Sequence, residues 1–433
     1  MKKRFNLHLF LTIFTISILS YSGCRKTDNP IKTINPITIG VILPMDQEKG
    51  LLREKALRTA INLINSSGGV GDGQMIELVI KSSEGTNREI VAAQAARDII
   101  KSNKNPVGFI TSFSSCSKGV VEQVALPENY PVVSGAATSG VLSSISPFFQ
   151  RLCPPDAFEA NVLMEQANAY GIERIAIAVE DGETFSTDLA NAFQDVFGAG
   201  ASPKVSFSKS DPSYATKLDQ LLANEPDAIF ISMLSPAVYE EFITRLSELN
   251  VDDRLINTSF ILCDAFYTNN ILNAQIGMMV GEINGHPKNF GAMPAADTTT
   301  SPFNCFQTEL MKQFGQEVAS YNAQFFDIGF LYAMAIEKTL LNVGTDDKAA
   351  FRVRLEYWIR QVSHGESGDP VVMPSLGWKS IKDACQFGGV NYQGASGNCD
   401  IDNQGNTIAP YSIFTISGTQ AGYSLETIRM VFP

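Results

Sequence analysis

Histidine is nearly absent: His8, His286 and His364 are the only three in 433 residues. No CxxC spacing occurs among the seven cysteines. Together these argue against a zinc site and against any other metal centre of familiar spacing. There is no GxSxG, no HExxH and no Cys/His pairing with a supporting base, so an enzyme reading is weak and no cofactor is expected. Basic residues are also in deficit, 33 Lys and Arg against 45 Asp and Glu. That excess of acid argues against nucleic acid and against an electrostatic membrane patch. Long apolar runs are missing too. The one extended run, residues 5–19, is short and interrupted by His8, Thr12, Thr15 and Ser17, which disfavours a membrane span.

What that run does suggest is export. Lys2, Lys3 and Arg4 form a positive start, the apolar stretch follows, and Ser20-Tyr21-Ser22-Gly23-Cys24 closes it with small residues before a cysteine. The ending resembles a bacterial lipobox, with Cys24 as the lipidated residue; Tyr21 departs from the usual aliphatic residue, and a plain cleaved signal is the alternative. Residues 1–24 are thus read as a lipoprotein signal and 25–36, polar and with two prolines, as a tether. Without the signal's three basic residues, 30 Lys and Arg face 45 Asp and Glu, a net of about −15. The remaining chain of about 400 residues is too long for one ordinary core, so two domains are expected.

The most informative stretch is 108–139, GFITSFSSCSKGVVEQVALPENYPVVSGAATS. Two short apolar runs each break into small hydroxyl residues, with a helical pattern between them. Ligands of open α/β sheets bind at such strand ends. Small residues let the backbone approach, and free N–H groups at helix starts suit an anion. The plainer reading is that these serines and threonines are N-caps. Around this unit, apolar strands alternate with amphipathic helices from Ile37 to residue 153, and a second such series runs from Pro154 to Ile283, closing with a strand at 278–283. Helix 53–67, for instance, places Ala56, Leu57, Ala60, Ile61 and Ile64 on one face and ends at Gly68-Gly69. The fold class is α/β: two doubly wound, Rossmann-like lobes with parallel sheets. Three later helices and a β-rich end from residue 389 complete the chain.

Taken in order, ITIGVILP, INSSGGVGDGQMIELV, the Ser-rich turn, PVVSGAATS, FFQRLCPPD, RIAIAVEDGETF, DAIFISM, FFDIGFLYAMAIEKTL and YQGASGNCDIDNQGN resemble the periplasmic binding proteins of the branched-chain amino acid type. The resemblance covers nearly all of the chain from Ile37. It implies a type I periplasmic binding fold, two lobes joined by three hinge crossings, with the ligand clamped between them. The implied division is 37–153 with 286–396 for the first lobe, and 154–285 with 397–433 for the second. It also implies an extracytoplasmic protein that captures an amino acid or similar small zwitterion and passes it to the permease of an ABC importer. A sensor or structural lipoprotein on the same fold is the alternative.

Carried over by position, the ligand-binding residues are Ser114 for the carboxylate with Ser115 beside it, Ala136, Ala137 and Thr138 in the second turn, and Phe185 where the family often has tyrosine. Asp264 follows as the partner of the ligand ammonium. The plainer reading of Asp264 is a helix cap. Six cysteines remain after Cys24, an even number that permits disulfides in an exported chain. The Gly-rich segment between Cys385 and Cys399 folds back easily, so that pair is expected. The family fold implies Cys116 with Cys153, which leaves Cys263 with Cys305. Two decoys are set aside. The glycines at 69–73 follow a helix and precede a strand, the wrong order for a dinucleotide turn. The run 400–405 opens like a calcium loop, but its twelfth position is Tyr411 where glutamate is needed.

Overall fold

The computed structural model describes residues 35–249, 255–268, 274–419 and 421–432. The signal, Cys24 and nearly all of the tether lie outside them.

Apolar, β-branched runs build the first sheet. Strands β1 (Ile37–Leu43), β2 (Ile76–Ser82), β3 (Phe109–Thr111), β4 (Val132–Ser134) and β5 (Phe149–Arg151) lie parallel in the order β2-β1-β3-β4-β5. Alternation along β1 sends Ile39, Val41 and Leu43 to one face and Ile42 to the other. The first face is covered by α1 (Glu48–Ser66), the second by α2 (Arg88–Ile99) and α3 (Ser114–Val120).

The second sheet contains β6 (Ile175–Glu180), β7 (Ala201–Phe207), β8 (Ala228–Ser232) and β9 (Ser259–Leu262), all parallel; α4 (Asp156–Ala169) leads into β6, and α5 (Thr184–Phe197), α6 (Tyr214–Leu222) and α7 (Pro236–Leu249) connect the four strands. A two-residue ribbon, β10 (Glu282–Ile283) with β11 (His286–Pro287), precedes β12 (Asn289–Pro294), which pairs parallel to β9. The chain then returns to the first lobe as α8 (Ser301–Phe314), α9 (Asn322–Leu340), α10 (Lys348–His364) and α11 (Trp378–Phe387), with the small sheet β13 (Val371–Val372), β14 (Asn391–Gly394) and β15 (Gly397–Asn398). Finally β16 (Tyr411–Thr419) and β17 (Gly422–Val431) add antiparallel strands beside β12. The chain passes between the sheets three times: after β5, after β12 and after β15.

Helix α9 is buried from Asn322 to Thr339, so it is a core element rather than a surface one. One side lies on α1, where Gly329 has no room for a Cβ beside Ala60. The other is covered by α10, α11 and β14. Asp327 in its middle accepts hydrogen bonds from Tyr392 Oη at 2.8 Å, Ala395 N at 2.8 Å, Ser396 N at 2.7 Å and Ser396 Oγ at 2.6 Å. This one carboxylate anchors the turn after β14 to the first lobe.

Three expectations are corrected. Residues 278–283 do not close the second sheet; a 3-10 turn ends at Met279, Gly281 takes φ +130°, and β12 is the sheet strand instead. The return to the first lobe therefore follows Pro294, not residue 285. No disulfide forms: all six described cysteines are free. Cys116 lies in the packing on the α2–α3 face of the first sheet and Cys153 in that on the α1–α9 face. Cys385 adjoins Lys338, whose Nζ donates to its carbonyl at 3.0 Å, whereas Cys399 Sγ sits 3.8 Å from Asp327. Those anchors are eleven residues apart on α9, roughly 16 Å along the axis at 1.5 Å per residue. Cys263 belongs to the second lobe's core and Cys305 to α8 of the first.

Candidate functional site

A cavity of about 720 Å³ opens between the lobes at the carboxyl ends of the parallel strands. The first lobe contributes the start of α1, the turns after β3 and β4, and residues 316–322. The second contributes Phe185, Tyr239, Asp264, Tyr267 and the 423–425 strand end.

The serine-rich turns serve mostly to hold one another. Ser134 Oγ donates to the carbonyls of Thr111 at 3.1 Å and Ser112 at 2.9 Å, and Thr111 Oγ1 lies 2.8 Å from Ser117 Oγ. Ser114 lines the cavity, and its Oγ accepts from Ser139 N at 3.1 Å. Ala136 and Thr138 also line it. Ala137 does not; its carbonyl accepts from Arg151 Nη1 at 2.8 Å. Ser115 lines instead a smaller polar cavity of about 390 Å³, which it shares with Glu183. The structure thus brings Ser114, Ala136, Thr138, Phe185 and Asp264 together and leaves Ser115 and Ala137 out.

Two cations line the cavity beside them, Lys49 and Arg53, four residues apart on the first turns of α1. They are brought in because Gly50 lets the helix start lie against Pro44, where any Cβ would collide with its carbonyl. Arg53 is 3% exposed; its Nη1 donates to Ser112 Oγ and its plane faces the rings of Phe113 and Tyr321, 5.0 and 5.5 Å away. Lys49 Nζ lies 5.6 Å over the Phe113 ring. Neither forms an ion pair among the described residues. Burial and the neighbouring Arg53 lower Lys49 to about 8, and burial lowers Arg53 to about 10. The spacing of these cations after β1 was the signal available in sequence; the apolar stripe from Arg53 onward drew attention to packing instead.

Across the cavity Asp264 accepts a hydrogen bond from the Tyr321 hydroxyl. Tyr321 comes from the first lobe and holds φ +63°, a left-handed conformation that costs a bulky residue strain and that clusters at ligand sites. Burial raises the Asp264 carboxyl, and the Tyr321 bond, Lys49 and Arg53 offset that rise only in part. Behind it, Glu159 Oε1 accepts from Asp264 N at 3.0 Å, and Asp156 is wholly buried beside the Thr138 hydroxyl. Burial pushes both of those carboxyls well above the usual range.

Other bonds cross between the lobes outside this cavity. Arg88 Nη1 meets Glu183 Oε2 at 2.9 Å and donates to Ser235 Oγ at 3.2 Å. Thr184 Oγ1 donates to Glu89 at 3.0 Å, and Ser139 Oγ to Asp188 Oδ2 at 3.0 Å.

Two sheets, three crossings and a cavity shared by both lobes describe a clamshell. Residues 52–419 match the model of the receptor family ligand-binding region. The chain belongs to that family. The family is one of ligand-binding regions and not of catalysts. Among curated proteins, an Arabidopsis thaliana protein, Glutamate receptor 3.7, is 26% identical over 148 residues, 34% of this chain and 16% of that receptor. The chain spans between 16% and 27% of the length of the curated relatives it matches. Among solved structures, a leucine-binding protein of Thermotoga maritima superposes with TM-score 0.68 at 20% identity, covering 92% of this chain and 99% of that one. A solute-binding protein of an ABC transporter from Rhodopseudomonas palustris, in complex with 3,4-dihydroxybenzoic acid, gives 0.64 at 17% identity, covering 92% and 97%. These likenesses establish the fold, the type I periplasmic binding architecture.

Proposed function

We propose that this is an exported solute-binding protein, held at a membrane by lipid on Cys24, which closes its lobes on a small carboxylate-bearing molecule and presents it to the permease of an ABC importer. The observation that carries the reading is the shared cavity: Ser114, Thr138, Lys49 and Arg53 from one lobe face Asp264 and Phe185 from the other. A ligand touching both walls stabilises the closed arrangement by its differential contacts, which is how such a clamp converts binding into a shape that a partner can read. Ser114 and Thr138 offer hydroxyls to a carboxylate, and Phe185, Tyr239 and Tyr267 offer apolar surface for the rest of the molecule. An amino acid is the class the family resemblance suggests, with Asp264 as the ammonium partner; the leucine-binding neighbour supports it. The neighbour that holds an aromatic acid supports a broader class of carboxylates.

The match to plant glutamate receptors favours a second reading, in which the same closure signals to a sensor instead of feeding a transporter. A thermal-shift screen of amino acids, aromatic acids and their amides tests the common core of both. A ligand present at 100 times its dissociation constant adds about 2.7 kcal/mol to stability. Ligands that stabilise the parent but not Ser114→Ala/Thr138→Ala place the site in this cavity; equal stabilisation of both removes it.

A further inference from the structure

The charges that line the cavity do not balance. Lys49 and Arg53 project into it from one side, and neither meets a carboxylate within ion-pair distance among the described residues. Asp46, Glu48 and Glu317 also line it, but at its rim: Asp46, Glu48 and Glu317 are exposed, and solvent screens them. The one buried acid on the wall is Asp264, and its carboxylate is already engaged by the Tyr321 hydroxyl from the opposite lobe. Glu159 and Asp156 are not on the wall; they stand behind Asp264, and Glu159 turns one oxygen to the Asp264 amide. One buried cation, Arg53, and one half-buried cation, Lys49, therefore share one buried anion. A neutral zwitterion, such as an amino acid with an apolar side chain, brings one charge of each sign and leaves the excess untouched.

We infer that the ligand of this cavity is a small organic molecule with net charge −1, recognised through Lys49 and Arg53, and not a neutral zwitterion. The inference rests on the reading of the cavity as a solute site and narrows it. Arg53 is fixed by Ser112 and by the aromatic rings around it, so it provides an oriented positive edge. Lys49 is the adjustable member: a flexible ammonium beside Phe113 that can swing to meet the anion. Two sources supply net −1. One is a monocarboxylate without an amine, such as an aromatic acid. The other is an amino acid with an acidic side chain, whose two carboxylates outweigh one ammonium. In the second case the ammonium must compete with Tyr321 for Asp264.

Calorimetric titration of the purified chain with matched pairs tests this. Benzoate is compared with benzamide, and glutamate with glutamine and leucine. In a cavity with an uncompensated buried cation, the anionic member of a pair is expected to bind about tenfold or more tightly. Lys49→Gln should reduce that preference to about threefold or less, and Lys49→Arg should restore most of it. The benzoate pair and the glutamate pair distinguish the two sources. If glutamine, leucine or benzamide binds as tightly as its anionic counterpart, the protein is a solute receptor and the charge inference is wrong. If Lys49→Gln leaves a clear anion preference intact, Lys49 is not its source and the inference as stated fails. If no compound of either charge binds, the solute reading of the cavity falls, and the inference with it.

Discussion

Asp327 offers a test of how the helical layer holds the first lobe together. It sits in the middle of α9 with no exposure and accepts four hydrogen bonds, two from backbone amides of residues 395 and 396 and two from the hydroxyls of Tyr392 and Ser396. Gly394 lies so close that a Cβ there would collide with the carboxylate. Each bond to a charged acceptor is worth about 1.5–3 kcal/mol on its own. Their sum overstates the effect, because burying the carboxylate is itself unfavourable and raises its pKa. Asp327→Ala removes the acceptor and leaves two amides and two hydroxyls facing an apolar void. A loss of about 3–5 kcal/mol is expected, a large share of the 5–15 kcal/mol typical of a folded protein. Helix propensity cannot explain it, since alanine favours helix more than aspartate does. The chain's two tryptophans, Trp358 and Trp378, both lie in this layer, on α10 and α11, so fluorescence during urea unfolding reports on the first lobe specifically. The expected result is a lower midpoint at unchanged slope. Asp327→Asn keeps one acceptor oxygen and should lose roughly half as much. A midpoint shift worth less than about 1 kcal/mol for Asp327→Ala would refute the assignment of that carboxylate as the anchor of the 392–396 turn.

Four further outcomes follow from the geometry. Asp156 is wholly buried and burial raises its pKa, so its contribution is full below the ordinary aspartate value and is lost as pH rises through the raised one. Asp156→Asn should therefore change little near pH 4 and gain about 1–3 kcal/mol over the parent near pH 8; parallel stability curves would contradict this. Arg88→Ala breaks the contact with Glu183 across the lobes and should weaken ligand binding by about 1–3 kcal/mol without touching the ligand, with an expanded scattering radius; unchanged affinity and radius would count against a latch. Lys49, faced by Arg53, Asp264, Cys263 and Arg88, is lowered to about 8, and a bound anion must raise it again. Binding of an anion above that pH should take up a proton and weaken by up to about tenfold per pH unit, seen as buffer-dependent calorimetric heats; identical heats in all buffers would exclude it. Cys24→Ser should move the protein from the membrane fraction to the soluble one, and identical fractionation would end the lipoprotein reading.

Much of this architecture was legible because parallel strands buried on both faces read as plain apolar runs, as in β1, β6 and β8. Strand β12 was not, since NFGAMP has no β-branched residue and contains both glycine and proline. Its neighbour MMVGEI imitates a strand better, yet Gly281 turns the chain there. At the site, the strand-end turns were visible as clusters of small hydroxyl residues, but which hydroxyls face the ligand depends on their bonds to one another. Lys49 and Arg53 escaped because charges at a helix start look like an ordinary solvated end until Phe113, Tyr321 and Phe325 pack against them. The cysteines misled for a different reason: an even count permits pairing but does not bring sulfur atoms together.

The clamp that Arg151 places on the second turn bears on how the cavity between the lobes can diversify. Its buried guanidinium holds the carbonyls of Ala137 and Ser139 at 2.8 and 2.7 Å and reaches Asn406 at 2.9 Å, in the third crossing between the sheets. The main-chain shape of that turn is thereby set by the scaffold and owes nothing to the cargo. Substitutions at positions 49, 185 or 264 can then reshape the cavity wall while the frame that presents them keeps its form. A designer wishing to turn this protein into a detector for a new molecule would leave Arg151 and Asn406 alone and vary the facing side chains.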